Sequence, residues 1–98
     1  MVTYATVEVE NNISNKQFIF CYVGKDLETI RKQLKIEQMP TAENNVFPST
    51  AGYMFKFDSL TEVTAEEARK YPCDYFDSIT NKVEAGKKDY FFIGSTRV

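Results

Sequence analysis

The run Phe18-Ile19-Phe20-Cys21-Tyr22-Val23 is the feature that most narrows what this chain can become. Its residues are apolar at both alternating parities and aromatic or β-branched almost throughout, which suits an interior strand of a sheet and places it centrally there. The segment before it behaves differently. From Val2 to Glu10, Ala5, Val7 and Val9 alternate with Tyr4, Thr6, Glu8 and Glu10, the period of a half-buried strand. Asn11, Asn12, Ser14 and Asn15 lie between the two runs, and their short polar side chains bond locally to the backbone, so a β-hairpin is expected. Gly24 stops the interior strand. Asp26 can then cap an amphipathic helix in which Leu27, Ile30 and Leu34 share one face, and which must finish before Pro40.

Residues 37–51 hold Pro40 and Pro48 among small polar residues, with Val46 and Phe47 as an apolar island. A connection this long is either a binding loop displaying Phe47 or the host of a short edge strand near Val46. From Gly52 to Asp58, Tyr53, Phe55 and Phe57 alternate with Met54, Lys56 and Asp58, a strand pattern. Thr64-Ala65-Glu66-Glu67 has the spacing of a capping box and opens a short helix to about Tyr71. Pro72 interrupts. Tyr75, Phe76, Ile79 and Val83 then share a helical face ending near Gly86, in preference to a hairpin with Gly86-Lys87 at its tip. Asp89 to Ile93 reads as a last strand, with Gly94 to Val98 fraying. The order β-β-α-β-α-α-β predicts an α+β fold: a four-stranded, mostly antiparallel sheet with two to three helices packed on one face.

At 98 residues the chain is expected to form a single compact domain spanning residues 1–98. Twelve basic residues against fourteen acidic ones give a net charge of −2, so binding to a polyanionic backbone is not the expected main activity. Cys21 and Cys73 are too few and too far apart for a disulfide framework. No apolar stretch approaches the roughly 20 residues that cross a bilayer, and the first residues lack the pattern of a secretory signal, so a cytoplasmic protein without membrane association is expected.

The absence of histidine weighs against most chemistry, because it removes the commonest general base, metal ligand and partner of a nucleophile. No metal site, no cofactor and no catalytic residue is expected, and the chain is read as a non-enzyme. Cys73, before a predicted helix, has the position of an activated thiol, but Asp74 and Asp77 oppose ionisation and a structural role is expected. Cys21 reads as a small core residue. Gly24-Lys25, between strand and helix, is a weak candidate for holding one small anion.

Tyr22-Val23-Gly24-Lys25-Asp26-Leu27 resembles the first RNA-contacting strand motif of the RNA-recognition-motif family, and Gly52-Tyr53-Met54-Phe55-Lys56-Phe57 resembles its second. That resemblance implies single strands stacking on Tyr22, Tyr53 and Phe55. The abundance of aromatic residues, eight Phe and six Tyr, carries a different expectation. Aromatics concentrate at protein interfaces, so a small non-enzymatic binding or regulatory module is the first reading, with another protein or a second copy as partner. Its candidate binding residues are Tyr22, Phe47, Tyr53 and Phe55. A small chain lacking His and rich in Asn and Lys would suit a phage or mobile-element product that inhibits or adapts a host protein. Single-strand binding is the alternative, and capture of a small anion the third.

Overall fold

A computed structural model describes residues 1–11, 13–38 and 53–98. Strands β1 (Thr3–Asn11) and β2 (Lys16–Gly24) form the expected antiparallel hairpin, with Thr3 opposite Gly24 and Asn11 opposite Lys16. Its turn is closed by the Asn11 side chain, whose Oδ1 accepts from the Ile13 and Ser14 amides at 2.9 and 3.0 Å. Asn15 supplies the left-handed residue at φ 58°. Helix α1 (Leu27–Gln38) follows, and Asp26 Oδ1 accepts from the Thr29 amide at 2.7 Å, as an N-cap does. Then come β3 (Tyr53–Val63), the short α2 (Ala65–Ala68), α3 (Phe76–Glu84) and β4 (Tyr90–Arg97). All strand pairings are antiparallel, in the order β3-β1-β2-β4, so β2 is interior. The α+β class and the order of elements are those predicted. Within residues 74–84 the chain forms the helix Phe76–Glu84 rather than a hairpin, and the open question of a strand near Val46 falls outside the described residues.

The placement of the helices differs from the sequence expectation: they divide between both faces of the sheet instead of sharing one. Neighbouring residues on a strand point to opposite faces. Ala5, Val7 and Tyr22 pack with Ile30 and Leu34 of α1. Tyr4, Cys21 and Val23 pack with Ala68 of α2 and with Phe76 and Val83 of α3. The central strands therefore have a core on each side, which is what a strand apolar at both parities requires.

Each helical layer comes close through a glycine. A Cβ on Gly24 would stand 2.5 Å from Ile30 Cγ1, and one on Gly94 would stand 2.6 Å from the Pro72 carbonyl oxygen. Thr64 Oγ1 caps α2 by accepting from the Glu67 amide at 3.1 Å. Two strands run longer than expected. The β3 strand continues past Asp58 through a register shift, where Ser59 Oγ accepts from the Glu8 amide at 2.8 Å and replaces a missing ladder bond. The β4 strand does not fray at Gly94: Ser95, Thr96 and Arg97 pair with Phe20, Ile19 and Phe18, after a shift of register between Cys21 and Tyr22.

Candidate functional site

Where α1 leaves the sheet uncovered, the centre of the exposed half of its face is built of rings. The cause lies in side-chain size along β1, which presents only Ala5, Val7 and Val9 toward α1. Rings from β2 and β3, on either side of β1, can therefore meet over it. Phe20 lies 5.7 Å from Tyr53 and 5.6 Å from Phe55, and Phe18 lies 6.2 Å from Tyr53. On the other flank Phe20 is 5.3 Å from Phe92 of β4. These are edge-to-face and tilted contacts in the range where aromatic pairs attract, so the rings brace one another as a ridge. Beneath it Val7 and Val9 are each 1% exposed.

The ridge is only partly covered. Tyr53 at one edge of the sheet is 40% exposed and Phe92 at the other is 46% exposed, with Phe18, Phe20 and Phe55 half-buried between them. The half of the opposite face that α2 and α3 leave open is different in kind. There the register brings Thr6 beside Thr61 and Glu8 beside Lys56, with Ile19 and Met54 as apolar side chains set among these polar and charged ones.

The sequence candidates are distributed as follows. Tyr53 and Phe55 lie on the ridge. Tyr22 does not belong to a binding surface: it is 3% exposed, stacked on Tyr90 at 5.8 Å and packed among the residues beneath α1. Burial follows from its place one turn of the pleat closer to Gly24, where the helix crosses. Phe47 lies outside the described residues. Gly24 is buried, and its role is to admit Ile30. Lys25 is engaged within the protein, its Nζ 2.9 Å from Asp89 Oδ1 and its amide donating to the Asp89 carbonyl at 3.2 Å. With Asp26 capping α1 and held below the usual carboxylate range by the Thr29 amide, this helix start already has two carboxylates of its own. A further anion would meet repulsion there.

Phe18, Phe20 and Phe92 were not singled out by their sequence context. Phe18 and Phe20 sit in a run that reads as core, and only their register opposite Arg97 and Ser95, far from α1, brings them to the surface. The signal available was parity: both share a face with Tyr22.

The two cysteines lie in the α2/α3 core. Cys21 is fully buried, which pushes its thiol up to about 12, and Cys73 is half-buried nearby. Arg69 closes this side, its guanidinium 4.4 Å from the Phe76 ring and 2.8 Å from Asp77 Oδ1. Tyr4 Oη and Thr80 Oγ1 share a hydrogen bond of 3.1 Å. Among the described residues no helix is long and apolar enough to cross a membrane.

The strands carrying the two RNA-recognition-like segments, β2 and β3, are not neighbours, since β1 runs between them. Compared with known proteins, the chain matches no family model, no curated protein and no solved structure.

Proposed function

We propose that this chain is a small non-enzymatic protein-binding module that works by placing its aromatic ridge against another protein's surface. One observation carries the reading: the uncovered half of the α1 face holds a set of rings in mutual contact, whereas on the uncovered half of the other face the apolar Ile19 and Met54 stand among Glu8, Glu10 and Lys56. Leaving rings half in water forgoes burial worth about 25 cal/mol per Å², a cost that contact with a partner removes. Tyr53 and Phe92, at opposite edges of the ridge, are the anchors, and Phe18, Phe20 and Phe55 hold them in place. Tyr and Phe with few rotatable bonds lose little entropy on contact, which makes such a pre-braced surface efficient. A module of this kind inhibits or adapts its target by occupying it.

The test pairs affinity capture with light scattering on the wild type and on a Tyr53→Ser/Phe92→Ser double variant. The wild type is expected to retain a partner or to self-associate, and the variant to stay folded by circular dichroism yet lose the interaction. A wild-type monomer that captures nothing would sink the proposal. Single-strand binding is the weaker reading, because Tyr22 is buried and two exposed rings offer a short stacking platform. Anisotropy with labelled single strands at low salt separates the two.

A further inference from the structure

The ridge has a rim of one sign. Lys16 and Arg97 lie on the ridge face at the end remote from Gly24, Arg97 opposite Phe18 in the ladder and Lys16 two residues before it. Both are exposed, and neither pairs with a described carboxylate. On the far flank Lys35 of α1 holds its Nζ 5.8 Å from the centre of the Phe57 ring. The strand carboxylates nearest in sequence, Glu8 and Glu10, stand on alternate positions to Val7 and Val9 and so belong to the opposite face. Glu62 of β3 shares the ridge face but stands opposite Ala5, toward the end that α1 covers; at the end where the rings emerge the strand charges are Lys16 and Arg97, both positive, in a chain whose net charge is −2.

We propose that the ridge takes an acidic peptide segment of the partner protein, one in which Asp or Glu side chains flank an aromatic or branched apolar residue. The inference rests on the protein-binding reading of the ridge and adds the chemistry of the partner. The apolar residue seats between Tyr53 and Phe92 over Phe20, and the flanking carboxylates reach Lys16 and the planar fork of Arg97, which matches a carboxylate in two parallel hydrogen bonds. A second copy fits less well, because face-to-face packing brings the two cationic rims together. A nucleic-acid strand could use the rings, but three cations on an acidic protein release few counterions.

The experiment measures fluorescence anisotropy with four labelled probes: a Glu/Phe peptide, the same peptide with Lys for Glu, the same with Ser for Phe, and an oligothymidylate. Wild type is expected to bind the Glu/Phe peptide at least about tenfold more tightly than either altered peptide, with affinity falling as salt rises. A Lys16→Glu/Arg97→Glu double variant, at exposed positions and checked for fold by circular dichroism, is expected to exchange the preference toward the Lys peptide. Equal affinity for Glu and Lys peptides, lost in Tyr53→Ser/Phe92→Ser, overturns the acidic partner while keeping the ridge as a protein-binding surface. Binding of no peptide overturns it as well, and the capture experiment then decides on the ridge separately. Tighter binding of the oligothymidylate overturns both in favour of a nucleic-acid ligand.

Discussion

The two faces of this sheet start from the same strands and end in different states. Over Tyr4, Cys21, Val23 and Ile93, the α2 and α3 layer buries the side chains at the centre of the face and leaves Phe91 partly buried, and what lies beyond that layer is mainly polar, with Ile19 and Met54 set among Glu8, Glu10 and Lys56. Over Ala5, Tyr22 and Tyr90, α1 buries its half, and beyond it the apolar surface goes on as rings. A single helix covers a narrower strip than two helical pieces. The lesson is that the polarity of the uncovered strand ends, more than the amount of cover, separates a finished face from an interacting one.

The largest expected effect tests the closed face. A thiol at about 12 is thiolate at pH 8 roughly a thousandfold less often than one with its ordinary value of 9.0, and Cys21 is also sterically enclosed. Native protein treated with Ellman's reagent should therefore report Cys73 first and Cys21 only at the rate of unfolding. Prompt modification of both would show that the α2/α3 face opens, and the contrast between the faces would lose its basis.

Next come truncations of the two cores. Leu34→Ala removes a fully buried side chain from α1, and Phe76→Ala removes the ring that Tyr4 stacks on at 5.4 Å and that Arg69 covers. Each is expected to cost about 3 kcal/mol in urea unfolding. By contrast, Tyr53→Ser and Phe92→Ser, on rings already half in water, should each cost less than about 1 kcal/mol. A loss at Phe92 as large as that at Leu34 would place the ridge in the core and remove its claim to be a binding surface.

Most of the fold was legible because its local signals agree. The alternation in β1, the Asp26 and Thr64 caps and the Leu27, Ile30, Leu34 stripe all name the elements that form. The division of the helices was also written in the sequence, in a run apolar at both parities, but helix periodicity says which stripe is buried and not against which side of a sheet. The late strand ends were hidden for a related reason. The expected strands stopped at Asp58 and Ile93, just before Ser59 and Gly94, whereas these residues serve a bulge and a close approach to Pro72, both of which exist only once the partner element is in place. Of the site, Tyr53 and Phe55 were legible from alternation. Phe18, Phe20 and Phe92 were not, since exposure along an interior strand depends on how far α1 reaches.

The two close-approach glycines allow the faces to be loosened one at a time. Gly24→Ala drives a methyl against Ile30 beneath α1, and Gly94→Ala drives one against the backbone carbonyl of Pro72 beside α3. Both are expected to destabilise by about 1–3 kcal/mol. The better contrast is in the peptide-binding assay: Gly24→Ala shifts α1, which borders the ridge, and should weaken binding of the Glu/Phe peptide, whereas Gly94→Ala acts chiefly on the other face. Equal effects on binding would mean that the two layers move together.

The smallest expected effect concerns how α1 is anchored beside the ridge. Asp26 accepts from the Thr29 amide, and this bond, with the neighbouring Lys25, favours its ionised form and holds the carboxyl below its ordinary value. A depressed carboxyl adds stability that is present above its unfolded-state value and disappears as pH falls through the folded one. Asp26→Ala should therefore lower the melting temperature slightly at neutral pH, with the difference from wild type shrinking as the solution is acidified below the normal carboxylate range. Thr64→Ala, which removes the corresponding cap from α2 and carries no titrating group, should lower the melting temperature by an amount that does not change over the same pH interval. If both differences shrink in parallel, acid is loosening the whole sheet, and the cap on α1 has no special part in holding the helix where its edge defines the ridge.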